Sequence, residues 1–370
     1  MGNQEENKVS EPNTLKISEC KPIIRKAVAK KRPIFIWGPP GIGKSDIVEQ
    51  VANETENSLV IDMRMALMDP TDIKGVPYYS ANDNTMKWAP PAELPDADTA
   101  SEYDVIFLFL DELNSAPPAV QAAAYQLVLN RRVGTYKLPD NVVIIAAGNR
   151  LGDKGVAYRM PSPLANRFLH VELRVDFDDW EMWAIENNIH PQVVGYLKQF
   201  KGDLYNFDPT MHDRAFATPR TWSFVSDMLD DEMSESANTD MVSGLVSEGI
   251  AIKFMSHRKH AEDLPDPADV LSGKVTKFNS KEVSATYALV VSLCYELRTK
   301  YQDAKRSGKP DSFNKAADNW LGFCMENFEP EMVIMGAHTV LKNYKVILDR
   351  KKMSNFPEFF KRYANLLTDD

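Results

Sequence analysis

Four short, almost unbroken apolar runs punctuate the first half of the chain: Pro33 to Trp37, Leu59 to Met63, Val105 to Leu110 and Val142 to Ala147. Each is rich in β-branched or aromatic residues, and none alternates apolar with polar. Strands covered on both faces have this pattern. Between the runs, apolar residues recur at spacings of three and four, so the pattern predicts helices alternating with strands, an α/β domain with a mainly parallel sheet. Leu169 to Val175 is a fifth strand candidate. Beyond it strand signals stop, and helical periodicity runs from Trp180 to the end. Val283, Tyr287, Val290, Val291, Cys294, Leu297 and Tyr301 form one stripe on a long helix, and Phe356, Phe359, Phe360, Tyr363, Leu366 and Leu367 another.

Polar punctuation sets the divisions. Residues 1–14 read as a loose tail, 15–175 as the α/β domain, 176–260 as a helical segment and 280–370 as C-terminal helices. The stretch 261–279, with two prolines, a glycine and mixed charge, reads as a linker. Lys16 to Arg32 holds seven Lys or Arg against Glu19 alone. It predicts a solvated face of a helix opening near Pro22 and packing Ile23, Ile24, Ala27 and Val28.

Composition removes several classes of function. A net charge of −10 and a pI near 5.3 repel phosphate backbones at long range, which disfavours a nucleic-acid binder and leaves the basic run as its only support. No window approaches the length of a membrane span, and the polar start MGNQEENKVSEPN lacks the apolar core of a signal peptide, so insertion and secretion are disfavoured. Cys20, Cys294 and Cys324 are widely spaced, which suits reduced thiols in a cytoplasmic compartment. No peptidase or esterase motif appears, and the closest histidine pair, His257 and His260, is a poor metal site.

The chemistry concentrates where strands end. Gly38-Pro39-Pro40-Gly41-Ile42-Gly43-Lys44-Ser45 fits GxxxxGK[ST] and lies between the first strand and the helix pattern SDIVEQVAN. Glycines there let backbone N–H groups curl round a polyphosphate at a helix N-terminus. Lys44 can reach the β and γ phosphates of a nucleotide such as ATP, and the Ser45 hydroxyl can meet Mg²⁺. Such a cradle needs a carboxylate, and the run Val105 to Leu110 delivers Asp111 and Glu112 at its C-terminal end. Asp111 suits the metal, and Glu112 can activate a water; an acidic helix cap is the alternative. Asn149 ends the next strand, where an amide can orient that water or merely form a turn.

In order, GPPGIGKS, DMRMALMDPTDIKGVP, FLDELNSAPPAVQAAAYQLVLNRRVGTYKLPDNVVIIAAGNR, MPSPLANRF and ATPRTW resemble the MoxR family of AAA+ ATPases over Pro33 to about Leu229. The resemblance implies a P-loop AAA+ core followed by an all-helical lid and a C-terminal helical extension. It implies Gly38 to Ser45 as Walker A, Asp111 and Glu112 as Walker B, Asn149 as sensor 1, Arg167 as an arginine finger and Arg220 as sensor 2. Asn166 stands where the family usually has an acidic residue, and Arg159 is the alternative finger. Thr218-Pro219 is also a good start for any helix, so both readings of Arg220 stand.

A finger acts on a neighbour's nucleotide, so the resemblance implies a homo-oligomeric ring, a hexamer, with Mg²⁺-dependent ATP hydrolysis at subunit interfaces. It also implies chaperone-like remodelling of a protein client with a von Willebrand factor A-type partner. Two apparent insertions fit this picture: the segment from Met68 to Pro95 carrying Tyr78, Tyr79 and Trp88, and the hairpin pattern NRRVGTYKLPDN. In the family such hairpins face the ring pore, where these aromatics can grip a client; purely local packing is the alternative. A nucleic-acid-directed motor and an ATP-binding assembly switch with little turnover are the rival expectations.

Overall fold

The computed structural model describes residues 14–150, 152–153, 158, 160–208, 210, 214–230, 232–262, 264–280, 283–308 and 310–367. The tail 1–13 and Arg159 lie outside them. The chain divides into two compact units, Met1–Asp179 with Asp208–Met211, and Trp180–Phe207 with His212–Asp370.

Among the described residues the first unit has ten strands: β1 Thr14–Leu15, β2 Ile34–Trp37, β3 Ser58–Arg64, β4 Val76–Ser80, β5 Thr85–Ala89, β6 Val105–Asp111, β7 Arg132–Val133, β8 Tyr136–Lys137, β9 Val142–Gly148 and β10 Leu169–Leu173. Six form one wholly parallel sheet in the order β1-β10-β2-β9-β6-β3. All seven residues of β9 are buried, as are five of seven in β6, which is why these runs lack alternation. The helix Lys44–Asn53 covers the sheet with Ile47, Val48, Val51 and Ala52, and Pro118–Asn130 does so with Val120, Ala123, Ala124, Leu127 and Val128. Each large aliphatic side chain buried this way contributes about 1.5–3 kcal/mol.

All five predicted strands form. β1 was not foreseen, because two residues carry no periodicity; it is held by pairing with Glu172 and Leu173 of β10. The basic run is helical from Ile17 to Ala29, and Ile24 and Ala27 are buried. It opens five residues before Pro22, which sits inside the helix. The Lys16 N–H donates to the Glu19 carboxylate at 3.1 Å, fixing the earlier start. The two insertions are antiparallel hairpins, β4–β5 and β7–β8.

The second unit is helical. Val283–Ser307 and Pro310–Asn327 pack Leu289, Val290, Leu293, Cys294 and Leu297 against Ala317, Trp320, Leu321 and Cys324. The stripe predicted on the first of these is too long at its start, since Val283 is exposed in the opening turn. Phe359 and Tyr363 are buried as the C-terminal stripe requires, whereas Phe360 is exposed, one residue off that face. The stretch 261–279 contains a helix, Pro267–Ser272, capped by the Asp266 carboxylate and ended by Gly273 in the left-handed region; it buries Val270 and Leu271. Among the described residues no helix is long and apolar enough to cross a membrane. The three cysteines are buried free thiols, and burial pushes Cys20 and Cys294 up to about 12.

This unit holds a buried ion pair. Lys198 Nζ donates to Glu181 Oε1 at 2.7 Å and to Thr339 Oγ1 at 2.8 Å, while Asn343 donates to Glu181 Oε2 at 3.2 Å. Lys198→Ala strands the Glu181 carboxylate, and should lower the unfolding free energy of this unit by about 3–5 kcal/mol in urea titrations. Lys198→Met with Glu181→Leu should lose much less. A loss below about 1 kcal/mol for Lys198→Ala would contradict the assignment.

Candidate nucleotide site

Parallel pairing puts the C-terminal ends of β2, β6 and β9 at one edge of the sheet, and the candidate residues follow those ends. After Trp37 the chain turns through Gly38 to Gly43 into the helix that starts at Lys44. Gly41 and Gly43 have φ of 75° and 92°, a region that side-chain-bearing residues rarely enter, so the loop's path depends on glycine at both positions. Ile47 N–H makes the first intrahelical bond, to the Gly43 carbonyl at 3.0 Å. The N–H groups before it have no intrahelical acceptor, and at a helix N-terminus they favour an anion.

Two side-chain contacts tie the loop to the neighbouring strand ends. Lys44 Nζ donates to the carbonyls of Gly38 at 2.7 Å and Pro39 at 2.9 Å, and to Asn149 Oδ1 at 2.9 Å. Ser45 Oγ donates to Asp111 Oδ2 at 3.2 Å. The P-loop cation, its hydroxyl, the β6 carboxylate and the β9 amide therefore lie together. Glu112, exposed beside them, has φ 54° and ψ 33°. A left-handed backbone costs about 1–2 kcal/mol for such a residue, and this cost falls on the residue proposed to meet water.

Two residues near this edge escaped the sequence reading. Asp62, on β3, has its carboxyl held above the ordinary range, first by burial and then by the negative charge of Asp111; Arg64 offsets part of this. A cation between these strand ends would relieve that repulsion, so the donor set Ser45 and Asp111, with Asp62 near, fits Mg²⁺. Asn114 is the second. Its Nδ2 donates to the Asn149 carbonyl at 2.7 Å, and a Cβ on Gly148 would lie 2.1 Å from its Oδ1. Only glycine fits there, which brings the turn after Glu112 against the end of β9. An Asp late in a strand run and an Asn two residues after Glu112 were visible signals.

Arg167 and Arg220 stand on other elements. Arg167 is exposed, and its side chain makes no hydrogen bond or ion pair among the described residues. It precedes Leu169, which pairs with Ile34, the first residue of β2, whereas the P-loop follows Trp37, the last. The length of β2, about 13 Å, thus separates the level of the finger candidate from its own P-loop. Arg220 belongs to the second unit, exposed in the first turn of Pro219–Met228. Thr218 caps that helix by accepting from Thr221 N–H at 3.1 Å, and Trp222 is buried beneath it. Among the described residues no group of three or more His, Cys, Asp or Glu is placed to hold a metal.

Residues 33–168 match the family described as AAA domain, dynein-related subfamily. Midasin from Giardia intestinalis is 29% identical over 209 residues, which is 52% of this chain; the match spans only 4% of that protein's length. Among solved structures, a RuvB variant from Thermotoga maritima aligns with 69% of this chain and 74% of its own at 16% identity, with a TM-score of 0.34. NtrX from Brucella abortus aligns with 83% of this chain and 69% of its own at 14% identity, with a TM-score of 0.37. The strand order and the family match agree on an AAA+ α/β fold for the first unit.

The phosphate cradle is tested at its cation. Lys44→Ala should weaken binding of a fluorescent ATP analogue at least about 100-fold, since it removes the ammonium that faces the loop and Asn149. Affinity within a few-fold of wild type would remove the nucleotide assignment.

Proposed function

We propose that this chain hydrolyses ATP to ADP and phosphate at the interfaces of a ring of its own copies, and uses that cycle to remodel or assemble partner proteins. The observation that carries the reading is the convergence of Lys44, Ser45, Asp111 and Asn149 at the C-terminal edge of the parallel sheet. In this reading Lys44 and the first-turn N–H groups bind the β and γ phosphates. Ser45 and Asp111 are the residues that would hold Mg²⁺, which supplies neutralisation of phosphate charge when bound. Glu112 takes a proton from the attacking water, and Asn149 orients that water.

The separation of Arg167 from its own P-loop supports action on a neighbour, and a finger supplied in this way is worth about 10³ to 10⁵ in rate. That requirement is the argument for a ring, for which a hexamer is the family's usual form. We assign Arg220 to sensor 2 on the ATPRTW motif. The MoxR resemblance supports chaperone-like work with a von Willebrand factor A-type partner. Tyr78 and Tyr79 on the β4–β5 hairpin are exposed and suited to grip a client, while Trp88 packs over Gly134 and joins the two hairpins.

Two observations weigh against the rival readings. The basic helix face that favoured a nucleic-acid motor is partly neutralised, because Lys21 and Arg25 both pair with Glu54. An assembly switch has no need of the carboxylate pair Asp111 and Glu112. Glu112→Gln decides between turnover and switching: it should bind ATP as wild type does and sediment as the same oligomer, with phosphate release at least about 100-fold slower. Turnover within a few-fold of wild type would remove Glu112 as the base.

A further inference from the structure

Two carbonyls close the turn that presents Arg167, and the Leu164 oxygen accepts the Arg167 N–H at 2.9 Å. The Ala165 oxygen accepts the Phe168 N–H at 3.2 Å, so Arg167 occupies the third position of that turn. The same oxygen lies 2.7 Å from His170 Nε2. The other ring nitrogen of His170, Nδ1, lies 2.9 Å from the Trp37 indole Nε1. An indole N–H can only donate, so Nδ1 must accept, and Nε2 then carries the proton that it donates to Ala165. Both nitrogens are committed, and the neutral tautomer follows from the partners alone.

Stacking fixes the same ring. His170 lies on Trp37 at 24° between planes and 6.0 Å between centroids, and Phe168 packs edge-on against Phe35 and against His170. Phe168 is buried, whereas Arg167 beside it is exposed. The backbone of the finger turn is thus anchored on both sides of a long, free guanidinium arm. Trp37, the anchor, is the last residue of β2, directly before the P-loop.

We propose that His170 is a positioning residue for the Arg167 finger, tying the finger turn to the strand that carries the P-loop. This rests on the reading that Arg167 acts on the neighbouring subunit. An arm anchored at its turn reaches across an interface with less orientational freedom to lose, and a displacement of about 1 Å at such a group can cost about 100-fold in rate. The role concerns the finger a subunit donates, not the nucleotide it binds.

Mixed oligomers separate these functions. Arg167→Ala subunits keep a P-loop and lack a finger; Lys44→Ala subunits keep a finger and lack the P-loop cation. Their mixture hydrolyses ATP only where the first kind receives a finger from the second. Adding His170→Phe, which keeps the ring and removes both nitrogens, to the Lys44→Ala subunit should cut that activity at least about tenfold. Added to the Arg167→Ala subunit, it should leave activity within about twofold, with ATP affinity unchanged. His170→Gln in the finger donor, which restores a polar group at that site, should recover part of the loss.

Equal losses in both positions, or an unchanged rate in the donor, would overturn the positioning role while leaving the trans finger intact. No activity in the parent mixture, under conditions where labelled subunits exchange and wild type turns over, would overturn the trans finger and the role of His170 with it. Thermal unfolding of each variant is followed alongside, and a donor defect matched by loss of folded oligomer counts against positioning.

Discussion

The ammonium of Lys44 organises the loop end of the first unit. It bonds two carbonyls of its own loop and the side-chain oxygen of Asn149, so it fixes the P-loop both to itself and to the end of β9. Hydrogen bonds to a charged group contribute about 1.5–3 kcal/mol each, and they add to the packing of the buried Gly38, Pro39 and Ile42 in holding this glycine-rich turn. Ser45 adds a second tie, to β6, through Asp111. Three strand ends are thereby drawn to one point, and β2 can serve all three because the sheet order places it directly beside β9 with β6 next.

The sheet order also separates Arg167 from the P-loop of its own chain. β10 joins β2 on the side away from β9, and Arg167 enters from the level where β2 begins. One unit therefore carries the candidate phosphate-binding groups at one edge and the exposed Arg167 at the other. Such a layout suits reciprocal use between copies, in which neighbouring sheets complete each other's sites. The His170 link joins these two levels within one chain, because its bonds run from the end of β2 to the turn before β10.

Much of the fold and of the candidate site is legible in the sequence. Strands buried on both faces announce themselves as apolar runs, and Asp111, Glu112 and Asn149 stand at the ends of those runs, where parallel pairing collects ligand groups. Local signals failed where tertiary contacts decide. Two residues cannot encode β1, whose strand exists only through β10. Pro22 argued for a later helix start, and the Glu19 carboxylate overrode it at Lys16. Asn114 and His170 carry no motif: their significance lies in a carbonyl 35 residues away for one, and in an indole 133 residues away for the other. The stretch 261–279 has the composition of a linker and yet contains a helix, since a proline and an aspartate that break structure in one place start a helix in another.

The account makes Lys44 the group that holds phosphate and Asn149 the group that orients water, although the two are bonded to each other. Asn149→Ala separates them when ATP affinity and single-turnover hydrolysis are measured on the same preparation. The predicted result is affinity within about threefold of wild type with hydrolysis slowed at least about 100-fold, the cost of removing one aligned polar group from a reacting centre. Loss of affinity on the scale expected for Lys44→Ala, or hydrolysis at the wild-type rate, would contradict it.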